Sequence, residues 1–432
     1  MVYKVAFVLG VGIWRALASA QEPMTLEQAV EIAKKNAFAV LTAQEEVRRA
    51  GGAMAEAKGA LLPKLTLDAR YTRFVESQSV IIDPNEPPVV IRPIDQKSLA
   101  LSLSQPIDIF NVSSVAVAAA RSLYLASQAE LKDAVDRAAL EAKDSFFGVL
   151  RTEEIVKVAT DKIASVQEAL RVAKLKNQEG AAAKFDVIRF QSDLANAEQQ
   201  RIQAENDLDT AKSRFNVALA RDIETPVSLV KPAEQPKVAL SLEELTAKAV
   251  DTRPDLLAAK RRLKYQEQFR IFRQREGLPT LNLSGNVSYN PDVGGFGGAS
   301  NDASATLALS VPILEGGVHR ARITQAKAEE EKAKIEVNRQ TLAVTREVRD
   351  AYLDVEAARQ QIETAQQALE LAQEALRIAR LRYEAGVGIP LELSDANAQL
   401  SSAQTNFVNA TYAYRDAVSK LQQAVGSEDI IQ

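Results

Sequence analysis

Tyr383-Glu384-Ala385-Gly386-Val387-Gly388-Ile389-Pro390-Leu391-Glu392-Leu393-Ser394-Asp395 is a short glycine- and proline-marked stretch between two long tracts of seven-residue periodicity. Before it, Val348, Val355, Ile362, Leu369 and Leu376 lead at that spacing into Tyr383, and Ala351, Ala358, Ala365, Ala372 and Ala379 follow the first five by three residues. After it, Leu393, Leu400, Phe407, Tyr414 and Leu421 keep the period, each trailed by an alanine from Ala396 to Ala424. A strict heptad with a large-small seam lets two helices pack closely as a coiled coil. The stretch reads as the tip of a long antiparallel helical hairpin.

The same pattern occurs earlier in the chain. Thr25-Leu26-Glu27 matches Ser241-Leu242-Glu243 at an offset of 216 residues, and Leu62-Pro63-Lys64-Leu65 matches Leu278-Pro279-Thr280-Leu281 at the same offset. Further on the offset is 206: Pro106-Ile107 pairs with Pro312-Ile313, Gly180 with Gly386, and Val149, Val156, Ile163 and Leu170 with Val355, Ile362, Leu369 and Leu376. Past the tip, Arg201 opposite Phe407 breaks an otherwise kept register. Repeats found first govern every later assignment. The chain is read as two copies of one unit, 21–220 and 241–432, joined by a linker at 221–240 that carries Pro226, Pro232 and Pro236.

Each copy reads as short helix, strand, loop, strand, long helical hairpin. The first opens with a helix from Leu26 to Gly59, with Gly51-Gly52 the expected break and Thr25/Gln28 an expected capping box. Strands are expected over 64–76 and 97–105, and a hairpin over 112–220. The second copy should hold strands over 280–290 and 302–311 and a hairpin over 317–425. A helical tract of about 65 residues is ~100 Å long. No compact single-core domain holds one. An ordinary dimeric coiled coil accounts for the heptads but leaves the strands unexplained.

The strands alternate cleanly. Leu65, Leu67, Ala69 and Tyr71 share a face opposite Thr66, Asp68, Arg70 and Thr72, and Leu99, Leu101 and Leu103 alternate with small residues. Leu281, Leu283, Val287 and Tyr289 behave likewise, as do Ala305, Leu307, Leu309 and Val311. One such segment alone fits a half-buried soluble strand. Four of about ten residues, apolar outside and small-polar inside, match transmembrane β-barrel strands. Four strands do not close a barrel, and open edges are forbidden in lipid. Three copies sharing one 12-stranded barrel satisfy both constraints, and the hairpin tips then ring an aperture. The loops 77–96 and 291–301 would face outward, the second with a flexible Gly294-Gly295-Phe296-Gly297-Gly298 run that lacks the residues of a phosphate loop.

Lys4, the apolar run Val5 to Ile13 and Ala18-Ser19-Ala20 before Gln21 read as a secretory leader over 1–20, with Arg15 an unusual member. Its removal leaves a net charge of −6 in place of −4, and the near balance of charges gives no case for nucleic acid. Cysteine is absent and His319 is the sole histidine, which excludes disulfides, a lipid anchor on cysteine and multi-histidine zinc sites. His319, just inside a helix start, reads as a capping or exposed residue. No catalytic motif is present, so no enzyme, cofactor or metal is expected.

With these features the chain resembles the outer-membrane efflux protein family, the TolC-like channels, over essentially all of residues 22–426. The markers are the duplicated strand-loop-strand units, Gln105-Pro106-Ile107, Val311-Pro312-Ile313-Leu314-Glu315-Gly316-Gly317 and Tyr383-Glu384-Ala385-Gly386. The resemblance implies a mainly α protein with a transmembrane β part: a trimeric 12-stranded barrel in the bacterial outer membrane, continued by an α-helical tunnel in the periplasm. It implies docking on a periplasmic adaptor and an inner-membrane pump, for export of drugs, metals or polypeptides. A periplasmic coiled-coil adaptor is the competing reading, disfavoured by two hairpins and four lipid-compatible strands.

Residue by residue, the resemblance makes Glu392 and Asp395 a ring of tip acids at the pore gate, and Asp186 and Tyr383 a pair bridging neighbouring coiled coils. Gly388 departs from the family by standing where a basic residue completes those bridges, and Asn111 replaces a glycine. From the residues alone, Glu392 and Asp395 equally suit a helix start, where acids face the positive dipole end, and Tyr383 suits a core. Gly180 with Ala181, and Gly386 with Val387, read as helix terminators first and as the surface that adaptor tips meet second.

Overall fold

The computed structural model describes residues 23–82, 84–232, 235–292 and 300–430. The leader and the Gly294–Gly298 run lie outside them. The elements are α1 (Leu26–Asn36), α2 (Phe38–Gly59), β1 (Lys64–Arg73), β2 (Gln78–Val80), β3 (Val89–Arg92), β4 (Asp95–Ile107), α3 (Val112–Gln178) and α4 (Lys184–Ala218), then α5 (Leu242–Thr252), α6 (Pro254–Arg275), β5 (Thr280–Tyr289), β6 (Asn301–Ser310), α7 (Val318–Glu384) and α8 (Pro390–Val425). The helices α1, α2 and strand β1 begin and end 216 residues before α5, α6 and β5. Helices α3 and α7 are each 67 residues long and lie 206 apart. No helix among the described residues is long and apolar enough to cross a membrane.

Two expectations are corrected. The first helix breaks at Ala37, not at Gly51-Gly52, which lie inside α2. In the second copy Pro254 opens α6 and forces the residue before it out of the helical region, and Arg253 is extended at φ −62, ψ 123. Ala37 adopts the same kind of conformation (φ −54, ψ 135) without a proline, so packing imposes the break there. Gly51 remains helical with the Tyr124 ring 3.5 Å from where its Cβ would sit. The second correction concerns the strands. β1 stops at Arg73, the loop after it carries the hairpin β2–β3, and β4 extends past both expected ends to Asp95 and Ile107. Pro106 is tolerated because β4 outruns β1 there and pairs only with β5.

Spatially the described residues divide into two units, each drawing on both copies: those within 23–33, 141–232 and 362–415 in one, those within 34–140, 236–361 and 416–430 in the other. The second unit holds the antiparallel sheet β1-β4-β5-β6. Its register places Leu65 opposite Leu103, Leu67 opposite Leu101, Leu101 opposite Val287, and Leu283 opposite Leu307. One face is therefore a continuous apolar surface, and it is bare: Leu65, Leu67, Leu307 and Leu309 are each more than 60% exposed. On the other face Ser102 Oγ donates to Asn286 Oδ1 at 3.0 Å and Ser104 Oγ to Asn282 Oδ1 at 3.3 Å. The outer edges of β1 and β6 have no strand neighbour in the sheet.

Also in this unit, the buried Arg253 side chain joins Asp255 (2.6 Å), Glu347 (2.5 Å) and the Ala424 carbonyl (3.2 Å), fixing the α5–α6 joint. In the other unit, the core is aromatic around Phe146, Phe147 and Phe215 and narrows to the alanine seam. Of the ten seam alanines of α7 and α8 in the two units, all but Ala365 are buried. Small side chains bring the helices of the hairpin together, as in close-packed coiled coils.

Candidate functional site: the helical tips

Both tips lie in the first of these units, and both are built by one backbone device. At the end of α3, Ala181 N–H donates to Lys176 O (2.7 Å) and Gly180 N–H to Asn177 O (3.1 Å). At the end of α7, Val387 N–H donates to Arg382 O (3.0 Å) and Gly386 N–H to Tyr383 O (3.2 Å). These are paired Schellman closures, which need a left-handed residue just past the helix. Gly180 and Gly386 supply it at φ +75 and +78. Ala181 and Val387 stand exposed beside them.

Behind the turns sits a core of Ala169, Leu170, Ala173, Phe190, Ala379, Tyr383, Leu393 and Ala396. Phe190 meets the Tyr383 ring edge-on, with centroids 5.7 Å apart. Tyr383 is only 4% exposed, and its hydroxyl is buried with no hydrogen-bond partner. Burial, and then the charge of Asp186, push that phenol's pKa up. Asp186 itself accepts from Ala183 N–H at 3.3 Å, closing the first turn of α4. Within one chain, then, the structure brings Asp186 and Tyr383 into electrostatic range and makes no hydrogen bond between them.

Glu392 sits in the first turn of α8 and faces Arg382 at 3.4 Å, with both side chains about half exposed. Asp395 is exposed and makes no hydrogen bond or ion pair among the described residues. Further pairs cover the outer surface: Arg171–Glu168 at 2.7 Å and Arg377–Glu374 at 2.6 Å, equivalent in the two copies, and Arg380–Glu384 at 3.0 Å. Exposed pairs of this kind add little stability. Their use here is to leave Asp395 as the uncompensated acid of the α8 tip.

Gly388 has a steric reason. A Cβ there would come 2.9 Å from the Tyr383 backbone nitrogen and 3.0 Å from Arg382 C and Cβ. The turn folds back onto the end of α7, with Gly388 N–H donating to Arg382 O at 2.9 Å. The sequence reading missed the residue that meets Tyr383 instead. Lys176 donates to the Tyr383 carbonyl, and its Nζ lies 4.8 Å from the ring centroid. The offset of 206 that pairs Gly180 with Gly386 also pairs Lys176 with Arg382, and was the signal available for it.

Alongside the tips runs a polar groove of about 450 Å³ lined by Asn196, Gln199, Gln200, Asn397, Ser394 and Asp193, among others. Of its lining residues, Ser394 Oγ donates to Asp193 at 2.6 Å, and Asn397 accepts from Ser165 Oγ at 2.5 Å. No cluster of metal-ligating side chains occurs among the described residues.

A family model described as "Outer membrane efflux protein" matches residues 29–221 and 245–427. The outer membrane protein OprJ of Pseudomonas aeruginosa is 26% identical over 331 residues, 74% of this chain and 67% of OprJ. The outer membrane efflux protein BepC of Brucella suis is 24% identical over 216 residues, 49% of this chain and 46% of BepC. In fold, the chain is similar to the CmeC outer membrane channel of Campylobacter jejuni, with a TM-score of 0.80 over 93% of this chain and 85% of that one at 19% identity. Two copies of strand-loop-strand and helical hairpin, with matched tips, are thus a known architecture, and the chain belongs to the outer membrane efflux protein family.

Proposed function

We propose that this outer-membrane efflux protein is the passive exit duct of a tripartite assembly. Three copies complete a 12-stranded barrel, and their helical hairpins continue it as a periplasmic tunnel. An inner-membrane pump and a periplasmic adaptor hand over the exported drug, metal ion or polypeptide. The observation that carries this reading is the sheet: one face largely apolar and bare, two outer edges without a strand neighbour. Lipid accepts the face, and only further strands from other copies satisfy the edges.

At the other end, the tips are read as the rim of the aperture. Glu392 and Asp395 give it negative potential, with Asp395 the stronger contributor because Arg382 faces Glu392. Asp186 and Tyr383 are the candidates for contact between neighbouring copies. Gly180, Ala181, Gly386 and Val387 form the small-residue surface for adaptor tips. The copy number is tested by running the membrane-extracted protein unheated on a gel. A heat-sensitive band at three times the chain mass in outer-membrane fractions is expected, and a soluble monomer in the periplasm would sink the reading in favour of an adaptor-like role.

A further inference from the structure

We propose that Lys176 is the clamp that holds the two tips of each chain together, gripping Tyr383 by its ring face and its carbonyl and not by its hydroxyl. The proposal rests on the reading of the tips as the rim of the aperture, and takes the arrangement of the tips described above as its closed state. Lys176 stands on the last turn of α3 and Tyr383 on the last turn of α7, so the contact crosses from one hairpin to the other. Two attractions act on the same ammonium. The carbonyl end of α7 carries partial negative charge, and Lys176 donates to a carbonyl there. The ring beneath the ammonium, 4.8 Å away, is buried, and a cation against a desolvated ring is held more strongly than against an exposed one.

Other contacts also cross between the hairpins, Arg380–Glu168 at 3.7 Å, Ser394–Asp193 at 2.6 Å and Ser165–Asn397 at 2.5 Å, but Lys176 is the cation placed against the Tyr383 ring and carbonyl. Gly388 has no room for a side chain without displacing the backbone of Arg382 and Tyr383. Arg382, the counterpart of Lys176 in the second copy, turns to Glu392 on its own hairpin. The Tyr383 hydroxyl, which a bridge to Asp186 would require, is buried without a partner. Moving the α7–α8 tip away from the α3–α4 tip therefore breaks the ring contact and the carbonyl contact together.

The experiment uses the full-length chain in outer membranes, with entry of a large hydrophilic antibiotic such as vancomycin and single-channel conductance as readouts. Lys176→Gln is expected to raise conductance and antibiotic entry about fivefold to tenfold, and Lys176→Arg to restore the closed behaviour. Tyr383→Phe stays closed, because ring and carbonyl persist, whereas Tyr383→Leu opens. Heat-sensitive oligomers on unheated gels confirm that each variant is assembled. The clamp is overturned if Lys176→Gln conducts like the parent, or if Tyr383→Phe opens as far as Lys176→Gln. Asp395→Asn separates this from the underlying reading. If the tips are no aperture, it leaves ion selectivity unchanged and Tyr383→Leu is silent too. If the clamp alone is wrong, both of those respond while Lys176→Gln does not.

Discussion

The two tips close with the same hydrogen bonds and the same left-handed glycine, yet their interiors differ. Where the first tip has Asn177, the second has Tyr383; where the first return helix buries Phe190, the second buries Ala396. The two rings, one from each hairpin, share a single core in which they meet edge to face. An exact duplicate would place two rings or two small residues at each position. The divergence of the copies turned two equal turns into one interlocked core. It also left Lys176 and Arg382, equivalent by position, with different partners.

The largest effect is expected from erasing that difference. Phe190→Ala makes the first return helix resemble the second and empties a site that is 1% exposed. A loss of about 3–5 kcal/mol follows from cavity formation. The reciprocal change, Ala396→Phe in the Phe190→Ala background, should recover part of it. Heat resistance of the assembled protein on unheated gels reads both, and an unchanged transition for Phe190→Ala would show that the interlock does not stabilise the tips.

A smaller difference lies at the strand-to-helix junctions. Asp108 accepts from the backbone N–H groups of Val112 (2.6 Å), Ser113 (3.2 Å) and Ser114 (2.9 Å) at the start of α3. The second copy has Leu314 at the equivalent place, 90% exposed. Asp108→Ala should cost about 1–2 kcal/mol, while Leu314→Ala should be nearly silent. Burial pushes the Asp108 carboxyl's pKa up, but the hydrogen bonds from Ser114, Ser113 and Val112 outweigh it and leave it below the ordinary aspartate value. A depressed carboxylate contributes stability above its unfolded value and loses it as pH falls through its folded one. Protection of the Val112–Ser114 amides, taken relative to their intrinsic exchange rates, should therefore fall as the pH drops through the lowered Asp108 pKa, with no matching change at the start of α7. Equal acid sensitivity of the two helix starts would contradict the assignment.

The smallest effect concerns the ends of the return helices. Ala220 ends α4 at φ +52, and its counterpart Gly426 ends α8 at φ +70. An L-residue is strained there and glycine is not. Ala220→Gly should stabilise by roughly 0.5–1 kcal/mol, and Gly426→Ala should destabilise by at least as much, because Arg253 crowds the added Cβ at 3.3 Å. Asn111 at φ +54 solves the same problem opposite Gly317 with a residue that tolerates the left-handed region. Thermal unfolding of the two single variants settles the order.

Heptads, offsets and strand alternation are local, periodic signals, and they located α3, α7, β1 and β5 to within a few residues. The Thr25/Gln28 capping box was legible for the same reason: its bonds, 2.9 and 3.4 Å, span three residues. The break at Ala37 was not, because nothing in its own sequence marks it; the helix is broken by what it packs against. The hairpin β2–β3 was hidden in a loop rich in Pro, Ile and Val, where short strands carry too few alternations to register. At the tips, Gly180 and Gly386 were legible as helix terminators by motif and position. Lys176 was missed because its partner is 207 residues away along the chain.

The sequence by itself therefore determined the duplication, the long hairpins and the lipid-compatible strands, since each is written in a period or an offset that needs no partner to be read. The family resemblance drew on the same signals. Tertiary structure alone decided which charges pair, that Gly388 is small because the backbone folds back against it, and that Tyr383 is held by its ring while its hydroxyl stays unpartnered. Those facts depend on side chains from distant hairpins meeting in a desolvated space, where burial and distance set the strength of an interaction and no local pattern records it.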